Sequence, residues 1–205
     1  MDNLNSSMSN QITDFWEWFD LNQALIEAVI EANGHPKTEE LIQSLDQHIL
    51  GMGKIKWEIG NPSPNQFTFM LSPNNERELL EVTKSIIAGA PTLNTWTFYY
   101  AAQATGVFQL QVYDHNMDVQ DVDASSWRAI IVPSGDGRFE LILEAANIAY
   151  LDDDTQMIAA DLILTALLGE EEKINCLAGL ELSFQLESEQ EALAFPVSEL
   201  FGRLV

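Results

Sequence analysis

The arrangement in this 205-residue chain closest to a metal motif is Asp114-x-Asn116-x-Asp118. A calcium-binding EF-hand loop continues with Gly at its sixth position and a bidentate Glu at its twelfth. Val119 and Ser125 stand there instead, so Asp114–Asp123 is expected to be a hydrated acidic loop that holds no metal. His35, His48 and His115 are scattered, and Cys176 is the one cysteine, so zinc lacks converging ligands. His48 falls near the end of an expected helix, where the dipole favours positive charge. Gly51-Met52-Gly53-Lys54 imitates a phosphate loop, but the spacing between its glycines is wrong and Ile55 replaces the required Ser or Thr. There is no G-x-S-x-G elbow. The carboxylate runs Asp152–Asp154 and Glu170–Glu172 flank one apolar segment and read as solvated helix ends rather than an acid–base pair. Cys176, beside Leu177, reads as buried filler rather than a nucleophile.

Catalytic residues and cofactors are therefore expected to be absent, which leaves charge and aromatic side chains. Thirty-two Asp and Glu against 9 Lys and Arg give a formal net charge of −23. That balance argues against binding nucleic acid or an anionic membrane surface. It suits a basic protein partner, because complementary charge speeds and orients association. Phe15, Trp16, Trp18 and Phe19 crowd little more than one helical turn. At about 100° per residue, Phe15, Trp18 and Phe19 share a face and Trp16 stands aside. Trp16 either packs beneath the N-terminal lead or contacts a partner, and it is the candidate contact residue. Trp57 and Trp96 fall on inward strand positions and read as core.

The elements that must position these residues follow from the periodicity. Residues 1–12 are polar and read as a flexible lead. A helix is expected from Asp14, with Glu17 at capping-box spacing, to Asn33-Gly34-His35-Pro36. A second runs from Thr38 to Gly51 and buries Leu41, Ile42, Leu45 and Ile49. Period-two alternation predicts strands at 54–59, 66–71, 95–100 and 179–187, with a shorter one at Phe108–Val112. A helix is expected over 76–88 between the second and third of these. Ala129–Val132 and Phe139–Leu143 form another strand pair. The helix over 153–168, apolar on nearly every side, is expected to be the most buried.

The order strand, turn, strand, helix, strand thus occurs twice. The fold class is α+β: two N-terminal helices followed by two ββαβ-like halves with mainly antiparallel sheet. Residues 1–113 hold the helices and the first half, 114–126 an acidic connection, and 127–205 the second half, all in one compact unit. No signal peptide or membrane span is read, and one unpaired cysteine fits the cytoplasm.

Phe15-Trp16-Glu17-Trp18-Phe19, Ala90-Pro91-Thr92-Leu93-Asn94-Thr95-Trp96, Leu168-Gly169-Glu170 and Pro196-Val197-Ser198-Glu199-Leu200 together resemble an uncharacterised family of bacterial proteins. The resemblance implies a bacterial α+β protein and brings no catalytic residues. The family pattern has a basic stretch where this chain reads Phe98-Tyr99-Tyr100-Ala101-Ala102-Gln103, which removes any anion site there. The expected function is a non-enzymatic binding or interaction protein, of which an inhibitor- or immunity-like protein toward a basic partner is one subtype. The rival expectation is a hydrolase with carboxylates in a cleft between the halves.

Overall fold

The computed structural model describes residues 2–32 and 35–204, with side chains from residue 7. The expected Asn33-Gly34 helix stop lies outside the described residues. The fold is α+β, with seven α-helices among the described residues. The chain divides into two compact units, Met1–Ala102 and Gln103–Val205.

The first unit opens with α1 (Asp2–Glu31) and α2 (Thr38–Leu50). The helix does not wait for Asp14, and the expected flexible lead is its first turns. Met8, Ile12, Phe15 and Phe19 recur at steps of four, three and four, and all join one core. That apolar stripe holds a polar-looking segment in helical form, so Asp14 and Glu17 lie mid-helix. In α2, Leu41, Leu45 and Ile49 are buried, whereas Ile42 is 43% exposed, contrary to expectation.

Next come β1 (Lys56–Ser63), β2 (Gln66–Ser72), α3 (Arg77–Ala88) and β3 (Trp96–Tyr99). β1 and β2 pair antiparallel across Pro64-Asn65, with Asn65 taking the positive φ that a tight turn requires. β3 returns through α3 to lie parallel to β2. Phe15, Trp16, Phe19, Phe69 and Trp96 fill the core. Their rings meet mainly edge to face or tilted, as at Phe19 and Trp96 with centroids 5.0 Å apart.

The second unit starts with a hairpin, β4 (Gln109–Tyr113) and β5 (Val119–Asp123). This corrects the expected 114–126 connection: Asp114–Asp118 is a turn and 119–123 a strand. Polar composition concealed the strand because its outer face is solvated. Then follow β6 (Arg128–Pro133), β7 (Phe139–Glu144), α4 (Asp153–Leu168), α5 (Glu170–Cys176) and β8 (Leu177–Ser183). β6 and β7 pair antiparallel, and β8 lies parallel to β7. The pairing scheme of the first unit is thereby repeated, in a separate sheet. α6 (Ser188–Glu191), β9 (Phe195–Pro196) on the edge of β6, and α7 (Leu200–Leu204) finish the unit. Its core is mostly aliphatic around Trp127 and Phe195, with Leu141, Leu143, Ile163 and Leu164.

α4 is not buried all round. Met157, Ile158 and Leu162 form an exposed stripe, Ile158 being 50% accessible, while Ala159, Ala160 and Ile163 face the core. The final strand ends at Ser183, leaving Phe184 exposed and Leu186 buried beyond it.

Candidate functional site

Trp16, the expected contact residue, has its indole only 5% exposed. Its Nε1–H donates to the Ile86 carbonyl at 2.6 Å, a carbonyl in the last turn of α3 that also accepts from the Gly89 amide at 3.1 Å. A buried Trp side chain is best accommodated when its N–H finds such a partner. Close approach at this point depends on Gly89. A Cβ there would stand 2.9 Å from Ile12 Cγ2 and 3.4 Å from Trp16 Cδ1.

Where α1 meets the end of α3, a shallow groove of about 310 Å³ remains. Ile12, Trp16 and Pro91 give it apolar walls, and Glu17 and Asp20 stand on its rim. Glu17 and Asp20 are three residues apart on α1, so both carboxylates lie on one side, about 5–6 Å apart at their Cβ atoms. The recess thus sets apolar surface beside two exposed carboxylates. It draws on two of the segments quoted above, Phe15–Phe19 and Ala90–Trp96. Beneath them Glu27 Oε1 accepts from Trp96 Nε1 (2.8 Å), Gln23 Nε2 (2.9 Å) and Thr95 Oγ1 (3.1 Å), pinning the junction to α1.

The second concavity, about 430 Å³, lies on the outer side of the β4–β5 hairpin. Gln109 donates to Asp123 at 2.9 Å and Gln111 to Asp121 at 2.8 Å, a ladder across the two strands. Donors from the Ser125 side chain and amide and from Gln109 hold the Asp123 carboxyl below the usual range, so it stays charged.

The Asp114-x-Asn116-x-Asp118 motif is the hairpin's turn. Asp114 accepts from the amides of Asn116 (2.8 Å) and Asp118 (3.0 Å) and from Gln120 Nε2 (2.9 Å). These bonds, led by the Asp118 amide, lower its carboxyl's pKa. Among the described residues no three His, Cys, Asp or Glu converge in a metal-sized group. Gly51-Met52-Gly53-Lys54 ends α2, with Met52 buried. Asp152 caps α4, accepting from the Thr155 amide (3.1 Å) and hydroxyl (2.6 Å). The Thr155 bonds and the one to His115 hold its carboxyl far below the usual range. Cys176 lies beside Glu172, and burial followed by that carboxylate raises its thiol, opposing thiolate chemistry.

His48 departs from expectation. Its ring lies against Trp18 (4.9 Å) and Phe15 (5.9 Å), and burial lowers its pKa despite Asp14 nearby. Desolvation outweighs the attraction of the Asp14 charge there, which shifts the balance toward the neutral imidazole. Trp57 is half-buried, not core, and donates to Asp46 Oδ1 at 2.9 Å, whereas Trp96 is buried as expected.

The groove beside Trp16 is not legible in local spacing, because Gly89 and Pro91 come from a distant segment. The hairpin ladder was concealed within a stretch read as loop. Compared with protein-family profiles, curated proteins and solved structures, the chain matches none. No helix among the described residues is long and apolar enough to cross a membrane.

Proposed function

We propose that this chain is a non-enzymatic binding protein that takes a basic segment of a partner protein, in the manner of an inhibitor or immunity protein. The observation that carries the reading is the Trp16 groove, an apolar recess whose rim holds Glu17 and Asp20. A lysine or arginine of the partner lays its methylenes along Ile12 and Pro91 and sets its charge between the two carboxylates. The net charge of −23 draws such a partner in from a distance. Exposed rim charges chiefly govern association rate and salt sensitivity.

The test is capture of basic proteins from the host lysate by the full chain and by the Glu17→Gln/Asp20→Asn variant. Both changes are at exposed positions and should leave the fold intact. The expected result is a basic protein retained at low salt by the parent chain, lost by the variant, and released at about 0.5 M salt. Equal retention by both chains, or retention that ignores salt, would overturn the proposal.

A further inference from the structure

We infer that the outer edge of β5 is a docking edge for an extended basic segment, which joins the β4–β5 hairpin as a third strand. The inference shares with the proposed function only the partner's positive charge and rests on a different surface.

The Ala124 amide donates to the Phe108 carbonyl at 2.8 Å, and the Asp114 amide to the Asp118 carbonyl at 3.0 Å. With the register Gln109↔Asp123 through Tyr113↔Val119, these bonds fix the alternation of the ladder. Leu110 with Val122 and Val112 with Gln120 are the hydrogen-bonded pairs. The N–H and C=O groups of Val119, Asp121 and Asp123 therefore point away from β4. One of them, the Asp123 carbonyl, accepts from Asn147 Nδ2 at 2.8 Å. The outward groups of Val119 and Asp121 have no partner among the described residues.

The side chains say which strand this edge takes. Val119, Asp121 and Asp123 project from one face of β5 at period two, and Val119 is exposed. A strand added antiparallel sets its own side chains about 4.5–5.5 Å from these three. Its best sequence has cations opposite Asp123 and Asp121 and an apolar residue opposite Val119: basic-x-basic-x-apolar, read from its N-terminus. A second copy of this chain is disfavoured, because antiparallel self-pairing brings aspartates face to face. Edge charges of this kind guard a strand against its own kind while leaving it open to the opposite charge. The β4 edge offers glutamines in place of carboxylates and runs beside α4.

The experiment uses the full chain and a fluorescent peptide with the core Arg-Thr-Arg-Thr-Val. One version is N-methylated at the two arginines, whose amides would face β5, and another at the two threonines, whose amides would face away. Anisotropy is expected to show salt-sensitive binding that falls about tenfold or more on arginine N-methylation and little on threonine N-methylation. Asp121→Asn/Asp123→Asn should weaken it as well, and the Asp121 amide should gain protection from hydrogen exchange. Absence of binding at low salt overturns the inference. So does equal tolerance of both methylation patterns, which would mean attraction by charge alone. Glu17→Gln/Asp20→Asn is expected to bind the peptide normally. If it loses the peptide, the ligand sits in the Trp16 groove, and the docking edge fails while the proposed function stands.

Discussion

The two units share a pairing scheme but are held by different chemistry. Every aromatic pair among the described residues lies in the first unit, centred on Phe15, Trp16, Phe19, Phe69 and Trp96. The second has a mostly aliphatic core in which Trp127 and Phe195 are the buried rings. Among the described residues, the carboxyls pulled below their usual range, Asp114, Asp123, Asp136, Asp152 and Glu191, all belong to the second unit. One ββαβ frame is therefore compatible with a ring-packed unit and with a unit whose turns and caps are fastened by charged acceptors. What the frame requires is an apolar face of the right period; the locking chemistry is free to differ.

The largest effect should come from removing a ring at the aromatic centre. Phe19→Ala is expected to cost about 3–5 kcal/mol in denaturant unfolding, since transfer and cavity terms add. Trp127→Ala should cost as much in the second unit. A double-mutant cycle sharpens the contrast: Phe19 and Trp96 should couple by about 0.5–1.5 kcal/mol beyond buried area. Coupling near zero would mean that the first unit is held by area alone.

Next is Glu27→Ala, which leaves the Trp96, Thr95 and Gln23 donors without their shared acceptor. A loss of about 1–3 kcal/mol is expected from unfolding midpoints. Trp57→Ala, at a half-buried position, should cost about 1–2 kcal/mol.

Acid should separate the units in order. His48 has a folded pKa below its unfolded one, so the unfolded chain binds the extra proton and stability falls as pH drops below about 6.5. The depressed carboxyls stabilise fully above about pH 4 and lose that contribution only at lower pH. Tryptophan fluorescence, with Trp127 replaced by Phe to isolate the first unit, should show a loss of stability that begins near pH 6.5. His48→Gln should remove that early step and leave the lower one. An early step that survives the substitution would assign it elsewhere. The smallest effect belongs to Glu199→Gln, which removes an exposed i,i+4 pair with Arg203. It should change the unfolding midpoint by less than about 0.5 kcal/mol.

How much of this was legible in the sequence varied with the exposure of each element. β2 and β3 were readable because Phe67, Phe69 and Leu71, and then Trp96 and Phe98, alternate against polar neighbours. The repeated ββαβ order followed from the same periodicity. β5 was lost because only Val122 is fully buried in it and its outward face is acidic, so composition masked the alternation. The first turns of α1 were hidden in the same way by Ser and Asn around Met8 and Ile12. α4 misled in the opposite direction, since a helix apolar on nearly every side does not reveal which stripe lacks a neighbour. Trp16, expected to stand aside from Phe15 and Phe19, is buried with them, and Trp18 is the partly exposed member of the turn. The Trp16 groove depends on Gly89 and Pro91, a tertiary juxtaposition that local spacing does not encode.

Every strand of the first sheet lies between Lys56 and Tyr99, within the unit that ends at Ala102. During synthesis the hairpin of β1 and β2 emerges first, and such hairpins close in about 1–10 μs. The parallel strand β3 must await α3, yet it too is made before any strand of the second unit. At roughly 5–20 residues per second, a further 5–20 s or so passes before the remaining residues are made. The ring-packed half thus has the whole of that interval to settle on the ribosome without competition from strands of the later half, whose aspartate-edged hairpin is the first part to follow.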